Sequence, residues 1–422
     1  MIDILATPYV PGLAQGIISH NPEHDGTILV APGPVLPAGS RPAGLVVVEG
    51  AMFSHPMLGW LAKGVPTVIV TVEQAAGLLD GQEVRLDGYT GSLRSLSAEM
   101  PAAPQPPVAT EPGQPVMSED GVAVALRASV RDAVGARRAK ERGAESIGLV
   151  RSEFLAPAAG QIPDSAFYRQ AFGELLVAAD PLDVTLRLID IAADKLPAWM
   201  AGAGHSVGPL GRQGVRLFEA EPLHGVVSAQ LDALVRLDVA GRLKLLVPYI
   251  STLEEMQRAR DWMRSRIEVP VGAMLETPAA ALDIAAHLEI ADFAALGTND
   301  LMQCLFGADR DDPAVAHYLD PYSPPLYRFL AQVARGAGDK LPLVQVCGLL
   351  SQLPGVLPAM LGMGFRAFSV DAAYIPYLAA TVRETDIGEA GALAEEVCRA
   401  KTGAELRALL GVGNRAVSAP RD

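Results

Sequence analysis

One histidine of the chain, His55, stands where an imidazole could act as a nucleophile. It lies within residues 44–71, "GLVVVEGAMFSHPMLGWLAKGVPTVIVT", between apolar runs that predict strands at Leu45–Val48 and Thr67–Thr71. A serine suited to the N-cap and a proline in the first turn predict a helix over Pro56–Lys63. Helix N-termini attract anions, so His55 is a candidate phosphate carrier. The alternative is a buried, hydrogen-bonded histidine with a packing role.

A second group of polar residues follows apolar strand patterns later in the chain. They are Arg151 after "GLV", Arg187 in "TLRLID", Glu276 after "GAML", Asn299 and Asp300 after "AALGT", and Cys347 after "LVQV". Each residue alone has a structural explanation, since Arg187 could pair with Asp190 and Glu276 could cap a helix. Together they are harder to explain by packing, because unpaired buried charges are costly.

These residue types suit a small phosphate ester that also carries a carboxylate. Glu276 and Asp300 are hard oxygen donors that could share one Mg²⁺. The thiol of Cys347 could donate a proton to an enolate. Guanidinium and ammonium groups could bind the two anionic groups of the ligand. The cationic candidates are Arg151, Arg187, Arg310 and Lys195. Phosphoenolpyruvate is the small molecule that fits this combination.

The elements that must position these residues follow a repeating pattern. Eight apolar strand candidates, from "GVAVALRASV" (121–130) to "FRAFSVDAAY" (365–374), alternate with helical patterns such as "STLEEMQRARDWM" (251–263). Eight strand–helix units over roughly 290 residues predict a closed parallel (β/α)₈ barrel of the α/β class, whose usual size is about 250 residues. The polar residues fall at strand ends, which in such barrels meet at one rim. We therefore expect them to form one site.

Composition divides the chain and limits its partners. The Pro- and Ala-rich stretch "MPAAPQPPVATEPGQPVM" predicts a semi-rigid linker at 101–117. We expect a domain of strands and helices at 1–100, the barrel at 118–412 and a tail at 413–422. A net charge of −14 argues against a nucleic-acid partner. Three cysteines without metal-like spacing, no signal sequence and no long apolar run predict a cytoplasmic protein that does not bind membranes.

Several stretches together resemble the phosphoenolpyruvate-utilising phosphotransferases, which include enzyme I of the bacterial sugar phosphotransferase system, phosphoenolpyruvate synthase and pyruvate phosphate dikinase. They include "GAESIGLVRSEFL", "LRLIDIAADKLP", "GAMLETPAAA", "LGTNDLMQCLFGADRDDP" and "VCGLLS". The pair "GTNDLMQ" and "MLETPAAA" is the most specific of these signals. Residues 44–71 resemble the same family's swivelling phosphohistidine domain. The resemblance runs from residue 1 to about residue 412.

The resemblance implies a function and a set of site residues. His55 would take phosphate from phosphoenolpyruvate, release pyruvate, and carry the phosphate to an acceptor by moving between sites. Glu276 and Asp300 would bind Mg²⁺, and Cys347 would protonate the enolate. The barrel would mediate a homodimer. The implied substrate-binding residues are Arg151, Arg187, Arg212, Lys195, Asn299 and Arg310.

The sequence departs from the family's pattern at several positions. Phe53 replaces a threonine before the Ser-His pair, Gln213 replaces an arginine, and Leu349 replaces a carboxylate after "CG". The chain runs straight through the place of the helical insertion that docks the phosphocarrier protein in enzyme I. We also expect no nucleotide-grasp domain ahead of the swivel domain. We therefore expect a separate acceptor, either a protein or a small molecule. A diverged enzyme acting on a small acceptor and a weakly catalytic regulatory protein that binds phosphoenolpyruvate are the alternatives.

Overall fold

The computed structural model describes residues 2–37, 39–96, 107–157, 160–191, 196–200, 210–237, 241–312 and 314–412. They form two compact units. The first takes the described residues of Met1–Val108 and Arg310–Leu319, and the second takes those of Ala109–Asp309 and those from Asp320 onward. Arg310–Leu319 was expected within the barrel domain, so the boundary differs there from the predicted one. Residues 101–106 of the predicted linker and the predicted tail lie outside the described residues.

The first unit is built on one mixed sheet of eight strands in the order β1-β8-β7-β3-β4-β5-β6-β2. The strands are β1 Asp3–Leu5, β2 Thr7–Val10, β3 Leu13–Ser19, β4 Ile28–Ala31, β5 Gly44–Val48, β6 Thr67–Val70, β7 Glu83–Asp87 and β8 Ser92–Ser95. Strands β3, β4, β5 and β6 run parallel to one another, and every other pair in the sheet is antiparallel. The helices are α1 His55–Lys63 and α2 Val72–Ala75.

Helix α1 connects the parallel strands β5 and β6, as the sequence predicted. It begins at His55, one residue before the predicted start, and ends where Gly64 adopts a left-handed conformation with φ 68°. Ser54 is the N-cap residue, but its side chain makes no capping hydrogen bond. The strand–helix–strand prediction is therefore confirmed.

The second unit is a closed barrel of eight parallel strands. They are β10 Ala123–Val130, β11 Ile147–Arg151, β12 Val184–Arg187, β13 Leu243–Ile250, β14 Val271–Leu275, β15 Ala294–Gly297, β16 Val344–Cys347 and β17 Ala367–Asp371. Each pairs with the next in chain order, and β17 pairs with β10 to close the ring. All eight predicted strands are confirmed. A short strand, β9 Val116–Met117, lies within the predicted linker and pairs antiparallel with β10.

The helices of the second unit follow the strands in alternation. They are α3 Ala133–Glu141, α4 Ser165–Ala179, α5 Leu223–Val235, α6 Leu253–Arg264, α7 Pro278–Leu282, α8 Ile284–Ile290, α9 Thr298–Phe306, α10 Pro324–Ala337, α11 Val356–Gly362, α12 Ile375–Arg383, α13 Ile387–Arg399 and α14 Gly403–Leu409. Helix α6 shows why they form: Thr252 and Glu255 make a capping box, and an apolar face containing Met256 and Met263 is buried. Among the described helices, none has the length and apolar character needed to cross a bilayer.

Candidate active site

The predicted site residues of the barrel lie where parallel strands end. Arg151 and Arg187 are the last residues of β11 and β12, and Cys347 is the last residue of β16. Glu276 directly follows β14, and Asn299 and Asp300 lie in the first turn of α9, directly after β15. Because the strands are parallel, these ends share one rim of the barrel.

Arg187 is the centre of the charged cluster at this rim. Its side chain is 3% exposed, with Nη2 at 2.7 Å from Glu153 Oε1 and 3.0 Å from Asp190 Oδ2, and Nη1 at 3.8 Å from Glu276 Oε1. Burial alone would lower the pKa of Arg187, but the carboxylates of Asp190, Glu153, Glu276 and Asp300 raise it above its usual value. The guanidinium therefore stays charged. Its Nε is buried without a hydrogen-bond partner among the described residues.

Glu153 is a site residue that the sequence interpretation did not select. Its Oε1 accepts hydrogen bonds from Arg187 Nη2 at 2.7 Å and from Arg151 Nε at 3.1 Å. A buried carboxylate oxygen shared by two guanidiniums keeps the two cations close together. Its place two residues after Arg151 in "VRSEF" was the only local signal. The expected pairing of Arg187 with Asp190 is present, and it is one of several contacts.

Glu276 is held in place by its surroundings. It is 2% exposed, and its Oε2 accepts a hydrogen bond from the backbone N–H of Tyr249 at 3.1 Å. A Cβ added to Gly297 would lie 2.5 Å from Oε1 of this carboxylate, so the absence of a side chain at Gly297 makes room for it. Glu276 does not cap a helix: Thr277 is the N-cap residue of α7, and its side chain accepts from Ala280. The helix-capping explanation for Glu276 is therefore wrong.

Asn299 and Asp300 lie at the same rim, in the first turn of the helix that follows β15. Asn299 Oδ1 accepts a hydrogen bond from the backbone N–H of Leu349 at 3.0 Å, which links the ends of β15 and β16. Asp300 Oδ1 accepts from Gln303 Nε2 at 3.1 Å. Asp300 is also close enough to Arg187 to contribute to that residue's raised pKa.

Cys347 packs among apolar residues of four other strands. It is 1% exposed and belongs to a cluster inside the barrel with Leu149, Leu246, Met274 and Ala295. Burial raises the pKa of Cys347 to about 12, and nearby Glu276 adds to the shift. The thiol therefore keeps its proton at neutral pH.

Three further predicted binding residues have different surroundings or lie outside the described residues. Arg212 is exposed in the loop that leads to α5, while the neighbouring Gln213 is buried. Lys195 lies outside the described residues. Arg310 is 4% exposed and belongs to the first unit. The structure instead brings Arg216 near the rim, with its guanidinium 5.0 Å from the centroid of the Tyr249 ring.

The surroundings of His55 in the first unit can be described only through its backbone, because its side chain lies outside the described residues. The loop before it is held by Tyr9, whose hydroxyl donates to the Met52 carbonyl at 3.0 Å. Glu49, at the start of this loop, has φ 53°, a conformation that L-residues rarely adopt. Ser54 is 7% exposed, and its Oγ has no hydrogen-bond partner among the described residues.

The fold and the rim define a class of protein, a (β/α)₈-barrel enzyme with a buried arginine among carboxylates at the C-terminal ends of its strands. The family model described as "PEP-utilising enzyme, PEP-binding domain" matches residues 108–387. The chain therefore belongs to the family of phosphoenolpyruvate-utilising enzymes, in which it is a phosphotransferase.

Curated relatives agree with this assignment. A phosphoenolpyruvate-protein phosphotransferase of Haloferax volcanii is 30% identical over 387 residues, which are 88% of this chain and 68% of that protein. The multiphosphoryl transfer protein 1 of Escherichia coli is 26% identical over 391 residues, or 87% of this chain and 47% of that protein. A phosphoenolpyruvate-protein phosphotransferase of Cupriavidus necator is 36% identical over 276 residues, or 62% of this chain and 47% of that protein.

Proposed function

We propose that the protein moves a phosphoryl group from phosphoenolpyruvate to His55, releasing pyruvate, and then to a separate acceptor. The observation that carries the proposal is the buried guanidinium of Arg187, whose Nε has no hydrogen-bond partner among the described residues while its Nη atoms contact carboxylates. A buried donor without a partner is rare in folded proteins and points to a ligand. Two of the relatives are named as protein phosphotransferases, which favours a protein as the acceptor.

The anionic groups of phosphoenolpyruvate would be bound by arginines and an amide. Arg151 and Arg187 share one oxygen of Glu153, so their spacing is fixed before the substrate arrives. Paired guanidiniums match the geometry of phosphate and carboxylate oxygens. Asn299 uses its oxygen to accept from Leu349, which leaves the amide nitrogen as the end that can donate to substrate. Arg310, Arg212 and Lys195 are further candidates for the same anions.

The donor set near Arg187 fits one Mg²⁺ held by Glu276 and Asp300. Four carboxylates lie close enough to Arg187 to raise its pKa, and Glu276 and Asp300 are two of them. Among the described residues, no group of three or more His, Cys, Asp or Glu side chains could hold a metal ion. Two carboxylates would suffice for the proposed site, since Mg²⁺ usually takes one or two and completes its shell with water and phosphate oxygens. A bound Mg²⁺ would neutralise charge on the transferring phosphoryl group.

Cys347 is the proposed source of the proton for pyruvate. During transfer, the bond between phosphorus and the enolate oxygen breaks, its electron pair stays with the enolate, and phosphorus bonds to an imidazole nitrogen. The enolate carbon then takes a proton from the thiol, and the thiolate recovers one from water. Because burial raises the pKa of Cys347 to about 12, the proton stays on sulfur until a strongly basic enolate forms.

The carrier role of His55 is supported by the backbone around it. His55 begins α1, where the unpaired N–H groups of a first turn favour a phosphoryl group. The neighbouring Ser54 offers a buried hydroxyl that has no hydrogen-bond partner among the described residues. Phe53, which is 3% exposed, supplies no hydrogen bond from its side chain. Transfer requires the imidazole within about 3–3.5 Å of the phosphorus, so delivery to an acceptor requires His55 to move.

The test is to follow labelled phosphate from phosphoenolpyruvate onto the chain. The protein is incubated with Mg²⁺ and labelled phosphoenolpyruvate, and the label is mapped by mass spectrometry under alkaline conditions. In the wild-type protein we expect acid-labile label on His55 and pyruvate release above hydrolytic background. His55→Ala should lose both the label and this pyruvate release. His24→Ala, a histidine of the same unit that bonds Ser19 at 3.0 Å, is the matched control and should keep the label.

The same experiment distinguishes the two alternatives. Acid-stable label on a small molecule, with no dependence on His55, would indicate a diverged enzyme with a small acceptor. Binding of phosphoenolpyruvate without any label would indicate a regulatory protein. Either outcome would contradict the carrier proposal.

We also propose that the protein forms a homodimer through its barrel. The family resemblance supports this assembly. Sedimentation velocity at micromolar concentration should give the mass of two chains, and a monomer alone would contradict it.

A further inference from the structure

Tyr249 has a backbone conformation that a tyrosine rarely adopts. Its φ is 54°, and among the described residues only Glu49 in the other unit is another non-glycine residue with positive φ. Strained backbone of this kind persists only where the surroundings hold it, and it is concentrated at functional sites. Tyr249 lies at the C-terminal end of β13, beside the rim that holds Glu276.

The strained conformation sends the backbone N–H of Tyr249 to a carboxylate. The pairing of β13 with β14 shifts between Val247 and Ile250, so the ladder is interrupted around Tyr249. Its N–H donates instead to Glu276 Oε2 at 3.1 Å. The other oxygen, Oε1, is the one that lies 3.8 Å from Arg187 Nη1 and faces Gly297. The bond to Tyr249 therefore fixes the rotation of the carboxylate and the direction in which Oε1 points.

The side chain of Tyr249 holds the strained backbone in place. Its hydroxyl contacts Cys304 Sγ at 3.7 Å and lies close enough to the buried side chain of Gln213 to interact with it. The guanidinium of Arg216 lies over the ring, 5.0 Å from its centroid. A Cβ added to Gly214, which has φ 52°, would lie 2.6 Å from the Tyr249 Cβ, so this loop packs directly against it. Tyr249 is 3% exposed.

We infer that Tyr249 is a positioning residue for the cation site: its anchored side chain keeps the backbone N–H aimed at Glu276, so that the carboxylate is oriented for Mg²⁺ before the ion binds. The inference rests on the proposed function, in which Glu276 and Asp300 hold the ion. Gln213 and Cys304 act through Tyr249 by holding its hydroxyl. The resembled family has an arginine at the position of Gln213, and in this chain the buried Gln213 would instead help to hold the Tyr249 hydroxyl.

The test compares substitutions that keep or lose the left-handed backbone. Glycine and asparagine adopt positive φ readily. Alanine adopts it at a cost that corresponds to about a tenfold change in an equilibrium constant. Mn²⁺ binding to the folded full-length chain is measured by electron paramagnetic resonance. We expect Tyr249→Gly and Tyr249→Asn to bind within about threefold of wild type. Tyr249→Ala should bind about tenfold more weakly, and Tyr249→Phe, which loses the held hydroxyl, should fall between wild type and Tyr249→Ala.

Thermal unfolding of every variant distinguishes positioning from packing. A purely structural role would lower the melting temperature of Tyr249→Ala without changing the Mn²⁺ affinity of the folded chain. Tyr327→Leu, which alters a fully buried tyrosine of α10, is the matched control and should lose stability with Mn²⁺ affinity unchanged. In turnover assays, Tyr249→Ala should raise the Mg²⁺ concentration for half-maximal rate and recover most of kcat at saturating Mg²⁺.

Failure of the inference and failure of the proposed function give different results. If wild type binds Mn²⁺ and Glu276→Gln abolishes binding, but Tyr249→Ala and Tyr249→Gly bind equally well, the positioning role is wrong and the ion site stands. If wild type binds no Mn²⁺, or Glu276→Gln binds it normally, the proposed ion site is wrong and the inference is lost with it.

Discussion

Replacement of Gly297 by alanine adds one methyl group at the most crowded point of the proposed ion site. The φ of Gly297 is −86°, which alanine adopts freely, so the effect comes from collision rather than from backbone strain. The added Cβ would lie 2.5 Å from both Cγ and Oε1 of Glu276. Ordinary contact begins near 3.4 Å, so the carboxylate must move by about 1 Å or the strand must shift.

The displacement should affect phosphoryl transfer far more than folding. A misplacement of about 1 Å at a reacting centre costs on the order of 100-fold in rate. Overpacking of a core costs about 1–3 kcal/mol, which in a domain of this size lowers the melting temperature by roughly 2–5 °C. We therefore expect Gly297→Ala to fold, to bind Mn²⁺ at least tenfold more weakly, and to transfer phosphate about 100-fold more slowly.

The assay is single-turnover transfer from labelled phosphoenolpyruvate across a range of Mg²⁺ concentrations, with Mn²⁺ binding and thermal unfolding measured in parallel. Gly391→Ala on α13 is the matched control, because its Cβ would meet no atom within 4 Å. It should leave transfer unchanged and stabilise the fold by up to about 1 kcal/mol. Adding Glu276→Asp to Gly297→Ala should restore part of the lost ion affinity, since the shorter side chain withdraws from the methyl group. Wild-type ion affinity and transfer rate in folded Gly297→Ala would refute the reasoning.

Three further predictions concern single residues of the barrel. Glu153→Gln keeps the shape of the side chain but weakens two charge-assisted hydrogen bonds by about 1–2 kcal/mol. Calorimetry should therefore find that phosphoenolpyruvate binds about tenfold more weakly. Unchanged affinity would contradict the role of Glu153 in holding Arg151 and Arg187. Cys347→Ala should slow pyruvate formation and leave phosphoenolpyruvate affinity intact, and wild-type turnover would exclude the thiol as proton donor. Burial raises the pKa of Asp371 to about 6, above its value of about 3.9 in unfolded chains, so its contribution to stability is greatest below pH 4 and is lost as the pH rises through 6. As the pH rises from 4 to 7, the unfolding free energy of Asp371→Asn should therefore increase by about 1–3 kcal/mol relative to that of wild type. Denaturant titration measures this difference. A difference that does not change with pH would contradict the raised pKa of Asp371.

The strands of the barrel and the positions of its main charged residues could be predicted from the sequence. Strands buried on both faces read as continuous apolar runs, and each predicted run contains one of the eight strands. Arg151, Arg187 and Cys347 end their strands as expected because parallel strands bring their C-terminal ends to a common rim. The start of α1 was predicted to within one residue from the serine and proline beside His55.

The contacts that determine how those residues are oriented follow from the tertiary structure alone. Glu153 bonds an arginine 34 positions away, and Tyr249 bonds a carboxylate 27 positions away, distances that no local periodicity encodes. In the sequence, Gly297 has no feature beyond its place at the end of a strand. Only the structure shows that Glu276 packs against it. The sequence by itself determined which residues reach the rim, because strand periodicity and strand ends are local properties. Only the closed barrel decided which of them touch, because a contact between two strands depends on register, twist and the space that a third residue leaves free.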